Sequence, residues 1–124
     1  MITLMDPHHI TLYGIPNCDT VKKARAWLGT QGLDHQFVDF KKQGVPLAQL
    51  DAWIHALGWE PLVNTRGTTW RRLDDTTRAG VTDAASARIL MLAEPSVIKR
   101  PVVEWPDASV SVGFEEVKWR ARLA

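Results

Sequence analysis

The residue best suited to chemistry in this sequence is Cys18, the only cysteine of the 124-residue chain. It follows a Gly-Ile-Pro-Asn turn at 14–17 and precedes a segment with helical periodicity. A sulfur in the first turn of a helix lies near backbone N–H groups without partners and near the positive end of the helix dipole. Both favour the thiolate, which is the nucleophilic form. Lys22 and Lys23 add positive charge and Asp19 opposes it, so the position predicts an activated thiol.

The alternative is that Cys18 is a small buried apolar side chain, which is the common role of a lone cysteine. A turn containing glycine, proline and asparagine presents backbone at the surface and does not build a core site, so we favour the reactive thiol. No other cysteine is present to form an internal disulfide. Any mixed disulfide at Cys18 must therefore be resolved by a thiol from outside the chain.

Length, charge and composition narrow the class of protein. A chain of 124 residues predicts a single domain, here residues 10–124, preceded by a loose extension at 1–9. A net charge of +1 argues against nucleic-acid binding. There is neither a membrane-spanning stretch nor the pattern of a signal peptide. A lone reactive thiol favours a reducing compartment. We therefore expect a cytoplasmic monomer with no membrane or nucleic-acid partner.

Histidine placement predicts no metal site, and as a separate expectation we predict no bound cofactor. His35 and His55 fall far apart in the pattern of elements, and His8 and His9 lie in the extension. A metal site needs several such ligands held together.

The order of predicted elements indicates the fold. A strand at 10–13, a helix from Cys18 and a strand at 35–40 form a βαβ unit with parallel strands. A third strand at 97–105 and a returning strand at 108–112 form a hairpin, followed by a helix. This order predicts an α/β, thioredoxin-like fold (βαβ … ββα) with a helical insert between the second and third strands.

Within the insert, Pro46 opens a helix that ends at Gly58, and Trp53 beside its apolar face is interpreted as packing. Thr68 or Thr69 is predicted to cap a short helix that runs to Ala79.

Two further helices follow in the sequence. Thr82 or Asp83 is predicted to cap a helix at 84–94. The final helix is predicted to align Phe114, Val117 and Ala121 on one face.

Four segments together resemble the ArsC/Spx/YffB superfamily, in that family's order and from about residue 10 to the end. They are Ile-Pro-Asn-Cys-Asp-Thr-Val-Lys-Lys-Ala at 15–24, Asn-Thr-Arg-Gly-Thr-Thr-Trp-Arg at 64–71, Ile-Lys-Arg-Pro-Val-Val at 98–103 and Val-Gly-Phe at 112–114. The family comprises arsenate reductases, thiol-sensing transcription regulators and a less characterised reductase branch. The resemblance implies a thioredoxin fold with a helical insert.

The arsenate reductase branch is matched only in part. Its catalytic cysteine corresponds to Cys18, the arginine of its Arg-Pro motif to Arg100, and a second arginine, with a shift, to Arg66. Its third arginine would fall in the C-terminal hairpin, where 109–113 reads Ser-Val-Ser-Val-Gly. The oxyanion would therefore lose one two-pronged donor.

The regulator branch carries Cys-x-x-Cys at this turn, but here the partner position holds Val21. The Asn-Cys-Asp-Thr-x-Lys-Lys-Ala segment resembles the third branch, proposed to consist of glutathione-dependent thiol reductases. The resemblance therefore implies an oxidoreductase that uses glutathione as co-substrate on a small thiol or disulfide. Two alternatives stay open: an arsenate reductase that depends on glutathione and glutaredoxin, and a non-enzymatic regulator that binds RNA polymerase.

The resemblance also implies the site. Cys18 would be the nucleophile, and Arg100 would hold a glutathione carboxylate or an oxyanion. The bond before Pro101 would be cis, with its backbone beside the sulfur and able to pair with a substrate. The remaining candidates for substrate binding are Asn17, Thr20, Lys22 and Arg66.

Overall fold

The structure, a computed structural model, describes residues 9–123. Most of the predicted N-terminal extension, residues 1–8, lies outside the described residues. The chain forms two compact units, one of residues 9–39 with 100–123 and the other of Phe40–Lys99. The second unit corresponds to the helical insert that the sequence predicts between the second and third strands.

The strands follow one another in the predicted order, and the helices do so with two differences: the second strand ends before Phe40, where an unpredicted short helix begins, and one predicted helix is divided in two. They are β1 (Thr11–Gly14), α1 (Asp19–Thr30), β2 (Gln36–Asp39), α2 (Phe40–Gln43), α3 (Leu47–Leu57), α4 (Thr68–Arg72), α5 (Asp75–Ala79), α6 (Ala84–Ala93), β3 (Val102–Glu104), β4 (Val110–Val112) and α7 (Glu116–Leu123), with 3-10 turns at Glu60–Leu62 and Pro95–Val97.

The first unit holds a four-stranded sheet in the order β2-β1-β3-β4. β1 pairs in parallel with β2, with Leu12 opposite Phe37, and antiparallel with β3, with Leu12 opposite Val103. β4 returns antiparallel to β3. The parallel pair joined by α1 and the hairpin followed by α7 confirm the predicted α/β, thioredoxin-like fold.

The core of the first unit lies where α1 and α7 pack against one face of this sheet. Leu12 and Val103 are fully buried there. The inward residues of α1 recur every three or four positions, as a helix with one buried face requires. They are Val21, Ala24, Trp27 and Leu28.

The final helix buries a different residue from those the sequence predicted. Val117 is 81% exposed and Ala121 is also exposed, whereas Trp119 is only 2% exposed. The ring of Trp119 meets those of Trp105 and Phe114 edge-on, at centroid distances of 5.0 and 4.7 Å. An indole buries far more apolar area than a valine, and this decides which face of α7 turns inward.

The third strand is much shorter than the predicted 97–105. Ile98 forms an isolated bridge with Val63 in the second unit, and the Lys99 N–H donates to the Leu62 carbonyl at 2.8 Å. Pro101 has no N–H to donate to a ladder. Regular pairing with β1 is therefore confined to Val102–Glu104.

In the second unit, α3 begins after Pro46 and ends at Gly58, whose φ of +80° suits glycine, as predicted. Its inward residues are Leu50 and Trp53, both fully buried. Trp53 packs on the Phe40 ring at a centroid distance of 6.1 Å. This confirms the interpretation of Trp53 as packing.

The predicted helix from Thr68 to Ala79 is in fact two helices, α4 and α5. The Asp74 side chain accepts the Thr77 N–H at 2.6 Å and starts α5. Arg78 closes the end of α4 by donating to the carbonyls of Arg71, at 3.0 Å, and of Leu73. A local cap at Asp74 and the half-buried side chain of Arg78 thus divide a segment that the sequence predicts to be one helix.

The next helix, α6, begins as predicted, with Asp83 as its cap. The Asp83 carboxylate accepts the Ser86 N–H, and the Ser86 hydroxyl accepts the Asp83 N–H, which forms a capping box. Within residues 9–123, no helix is long and apolar enough to cross a membrane.

Candidate active site

The candidate nucleophile lies at the junction between β1 and α1. The chain turns after Gly14, and the Cys18 N–H donates to the Ile15 carbonyl at 3.2 Å. Cys18 is the N-cap residue of α1, with φ −87° and ψ 125°, and its carbonyl accepts the Lys22 N–H at 2.9 Å. The turn residues and the helical segment after them therefore set the half-buried sulfur at the start of a twelve-residue helix.

The pKa of the Cys18 thiol is lowered, as the sequence predicted. Burial alone would raise the pKa. The Val21 amide, the Arg100 guanidinium and the Thr20 amide outweigh burial by hydrogen bonding and charge. The neutral thiol makes no regular side-chain cap. The amides at the helix start therefore act by favouring the thiolate.

The cation that lowers this pKa is Arg100, and it is remote in sequence. Arg100 is half-buried, hydrogen-bonds the Cys18 sulfur and belongs to the same unit. The lysines to which the sequence analysis gave part of this effect, Lys22 and Lys23, are exposed on α1. The positive charge at the sulfur thus comes from the loop before β3, not from the first turns of α1.

The bond between Arg100 and Pro101 is cis, as the resemblance implied. Pro101 is buried, and its carbonyl accepts the Gly113 N–H at 2.9 Å. This hydrogen bond ties the loop before β3 to the chain that leaves β4. The candidate site therefore consists of the start of α1 and the loop before β3, and the hydrogen bond from Gly113 ties that loop to the hairpin of β3 and β4.

The other predicted binding residues occupy different places. Asn17 is exposed in the turn before the sulfur, and Thr20 is exposed in the first turn of α1. Lys22 is exposed one turn after Cys18. Arg66 lies in the second unit, in an exposed turn where its N–H donates to the Asn64 side-chain oxygen at 3.2 Å. Their binding roles stay predictions.

The side chains of the hairpin are engaged in holding α7 and the core. The Ser111 hydroxyl accepts the Trp105 indole N–H at 2.8 Å. The Ser109 hydroxyl accepts from Arg122 at 2.8 Å and donates to the Asp107 carboxylate at 2.6 Å. The position where arsenate reductases carry a third arginine is thus filled by short side chains with structural partners.

A second polar pair near β1 was missed by the sequence analysis. The Tyr13 hydroxyl donates to the Glu104 carboxylate at 2.7 Å across the pairing of β1 with β3. Burial, and then this hydrogen bond, raise the pKa of Tyr13 well above its ordinary value. The phenol stays protonated at physiological pH. It therefore serves as a hydrogen-bond donor inside the fold and not as a base.

A cavity of about 460 Å³ lies at the end of β1 away from Cys18, between Ile10, Leu33 and Trp105. Its charged lining residues, Asp107 and Arg122, already hydrogen-bond Ser109. Size alone would favour this cavity as a ligand site. We favour Cys18 instead, because the lowered pKa of its thiol and its arginine provide reactive chemistry that the cavity lacks. Among residues 9–123, no group of three or more histidine, cysteine or acidic side chains is placed to hold a metal ion.

The fold and the site together define an arsenate reductase-like protein of the thioredoxin class. The chain belongs to the ArsC family, whose family model matches residues 13–122.

Relatives by sequence include two kinds of protein. An uncharacterized protein of Haemophilus influenzae is 39% identical over 115 residues, which is 93% of this chain and 99% of that protein. The global transcriptional regulator Spx of Streptococcus pyogenes serotype M3 is 30% identical over 124 residues, with 93% of this chain and 85% of Spx covered.

Two solved structures are similar at higher identity. The YFFB protein superposes with a TM-score of 0.86 at 43% identity, over 93% of this chain and 99% of that one. An arsenate reductase (ArsC) related protein from Brucella melitensis superposes with a TM-score of 0.73 at 48% identity, over 93% and 94%. An arsenate reductase from Vibrio cholerae, at 17% identity and a TM-score of 0.69, shares the fold.

Proposed function

We propose that this chain is a thiol–disulfide oxidoreductase that uses Cys18 as its nucleophile and glutathione as its co-substrate. The observation that carries the proposal is the lowered pKa of Cys18 at a helix start, in contact with Arg100. A thiolate populated near neutral pH is the species that attacks disulfides. The reaction takes place in a reducing, cytoplasmic compartment.

The proposed cycle has two exchange steps. In the first, the Cys18 thiolate attacks the glutathionyl sulfur of a mixed disulfide R–S–SG, an S–S bond forms to Cys18, and RS⁻ leaves and takes a proton. In the second, the thiolate of a free glutathione attacks the Cys18–SG disulfide, releases oxidised glutathione and restores the Cys18 thiolate. The net reaction converts R–S–SG and GSH to RSH and GSSG.

The second step needs an external thiol because the chain has no other cysteine. Glutathione fits as that thiol because it carries carboxylates, for which a guanidinium offers a planar, two-pronged partner. In this proposal Arg100 binds the carboxylate while it also stabilises the Cys18 thiolate, and its contact with the sulfur supports that role. Asn17 and Thr20 are exposed within two positions of Cys18, and in the proposal they contact the substrate.

Mass spectrometry of the intact protein tests the cycle directly. Oxidised glutathione should convert the wild type to a single glutathione adduct, and reduced glutathione should remove it. Turnover of a glutathionylated peptide, coupled to NADPH oxidation through glutathione reductase, should follow. Cys18→Ser should form no adduct and show no turnover, and its circular dichroism should match the wild type because serine is a favoured residue at a helix N-cap. Turnover in Cys18→Ser, or an adduct that glutathione does not remove, would exclude the cycle.

A regulator that binds RNA polymerase is the second candidate, and the 30% identity to Spx favours it. Val21 stands where the regulator branch carries its second cysteine, so an internal disulfide switch cannot form. A pull-down with purified RNA polymerase subunits, run beside the turnover assay, separates the two. Stable capture of polymerase without turnover would support the regulator.

A further inference from the structure

We propose that Gly14 is a positioning residue for Cys18, because it leaves the space in which the first turn of α1 approaches β1. The inference deepens the proposed function, since it concerns how the Cys18 thiolate is stabilised. Gly14 does not touch the sulfur. It acts through Val21, whose amide lowers the pKa of Cys18.

The crowding at Gly14 is specific and measurable. A Cβ built on Gly14 would lie 2.8 Å from Cγ2 of Val21, closer than carbon atoms can approach without something moving. The same Cβ would already be in ordinary contact with Cβ of Arg100, at 3.9 Å. The side-chain carbons that a Cβ at Gly14 would meet thus belong to two of the residues that stabilise the thiolate.

Val21 cannot give way cheaply. It is fully buried among the core residues Leu12, Ala24 and Val103. A β-branched side chain on a helix is held in one strongly preferred rotamer. A methyl group at Gly14 would therefore push the backbone of the first turn of α1, and with it the Val21 amide, away from Cys18.

The backbone conformation at position 14 does not require a glycine. The described glycines with positive φ are Gly32, Gly44, Gly58 and Gly113, whereas Gly14 is a strand residue. In a strand, alanine without a clash would stabilise the fold by restricting the unfolded chain. The need for glycine at this position is therefore a need for space.

The test measures the rate of alkylation of Cys18 by iodoacetamide against pH, followed by intact mass. Gly14→Ala should move the midpoint to higher pH than in the wild type, with slower alkylation at pH 7. At a pH below the midpoint, each full pH unit of this displacement means about a tenfold lower thiolate fraction. The matched control is Gly29→Ala, in α1, where an added Cβ meets nothing within 4 Å. Its midpoint should equal that of the wild type.

A double variant tests the route through Val21. Val21→Ala removes the atom that the new methyl group would meet, so Gly14→Ala/Val21→Ala should have the same midpoint as Val21→Ala alone. This comparison also decides the matter if Gly14→Ala fails to fold. A wild-type midpoint in Gly14→Ala would overturn the inference, and so would a double variant whose midpoint stays above that of Val21→Ala. A wild-type midpoint at or above the ordinary thiol value of about 8.5 would contradict the proposed function instead.

Discussion

Replacing Arg100 separates the role that the structure gives it, lowering the pKa of Cys18, from the role that we propose for it, binding an anionic group of the substrate. In Arg100→Ala the thiolate loses its hydrogen bond and its charge partner. A hydrogen bond to a charged group contributes about 1.5–3 kcal/mol. Because the sulfur is partly exposed, solvent screening reduces this to about 1 kcal/mol, or roughly a fivefold lower thiolate fraction. The alkylation midpoint should therefore rise by about 0.7 pH unit.

Arg100→Lys keeps the positive charge but loses the planar pair of donors. If Arg100 acts only on the thiol, lysine should restore both the alkylation midpoint and glutathione-dependent turnover. If Arg100 also holds a carboxylate of glutathione, lysine should restore the midpoint, while turnover should stay nearly as low as in Arg100→Ala. We expect the second result, because a carboxylate bound beside the sulfur would use two N–H donors of the planar guanidinium, which an ammonium group does not offer in that geometry.

Both measurements are needed for each variant, since turnover alone would mix the two roles. Arg120→Ala is a matched control, because Arg120 is an exposed arginine of the same unit that pairs with Glu116 at 2.9 Å. It should change neither the midpoint nor turnover. If Arg100→Ala matches the wild type in both measurements, Arg100 has no place in the site and the reasoning from its contact with Cys18 fails.

Three further predictions follow from other parts of the molecule. Arsenate reduction with glutathione and glutaredoxin supplied should be weak or absent, because the hairpin at 109–113 has no arginine; robust arsenate turnover would overturn the assignment to the thiol reductase branch. In urea titrations Trp119→Ala should lose about 3–5 kcal/mol of unfolding free energy, whereas Val117→Ala should stay within about 0.5 kcal/mol; equal losses would refute the assigned face of α7. Hydrogen bonds from Ser86 lower the pKa of Asp83, so its stabilisation is present above the ordinary carboxyl pKa and is lost as pH falls through the lowered one. Thermal unfolding should therefore show Asp83→Ala below the wild type at neutral pH, with the gap narrowing in acid; a gap independent of pH would contradict this.

The parts of the fold that could be predicted are those where local signals agree. The apolar strand before Gly14, the turn to Cys18 and the periodic residues of α1 all indicate the same βα junction, and the structure has it. Pro46 and Gly58 likewise mark both ends of α3. At such places the capping and turn residues act within a few positions of each other.

The misjudged parts depend on contacts between distant segments. The face of α7 that turns inward is set by the packing of Trp119 against Trp105 and Phe114, and the periodicity of the helix alone does not predict this packing. The third strand is short because Ile98 and Lys99 still belong to the second unit, where they pair with Val63 and Leu62. The space at Gly14 could not be predicted either, because the approach of Val21 to Gly14 depends on how α1 packs against β1, although the two residues are only seven positions apart.

The groups that stabilise the Cys18 thiolate are of two kinds: some follow from the local sequence, and one depends on a contact between distant segments. The amides of Thr20 and Val21 follow from a turn that leads into a helix, so any chain with this junction would supply them. Arg100 lies in the loop that follows the insert in the sequence, and its contact with Cys18 depends on the pairing of β3 with β1. An activated thiol therefore does not by itself identify the reaction, because thiols with a lowered pKa occur in several classes of enzyme. The reaction is distinguished by what surrounds that thiol: an arginine that can bind a carboxylate, a hairpin without a third arginine, and no second cysteine. In the proposed cycle Cys18 forms a mixed disulfide that this chain, with no second cysteine, cannot resolve without an external thiol, and this is the reason for proposing glutathione in the second step.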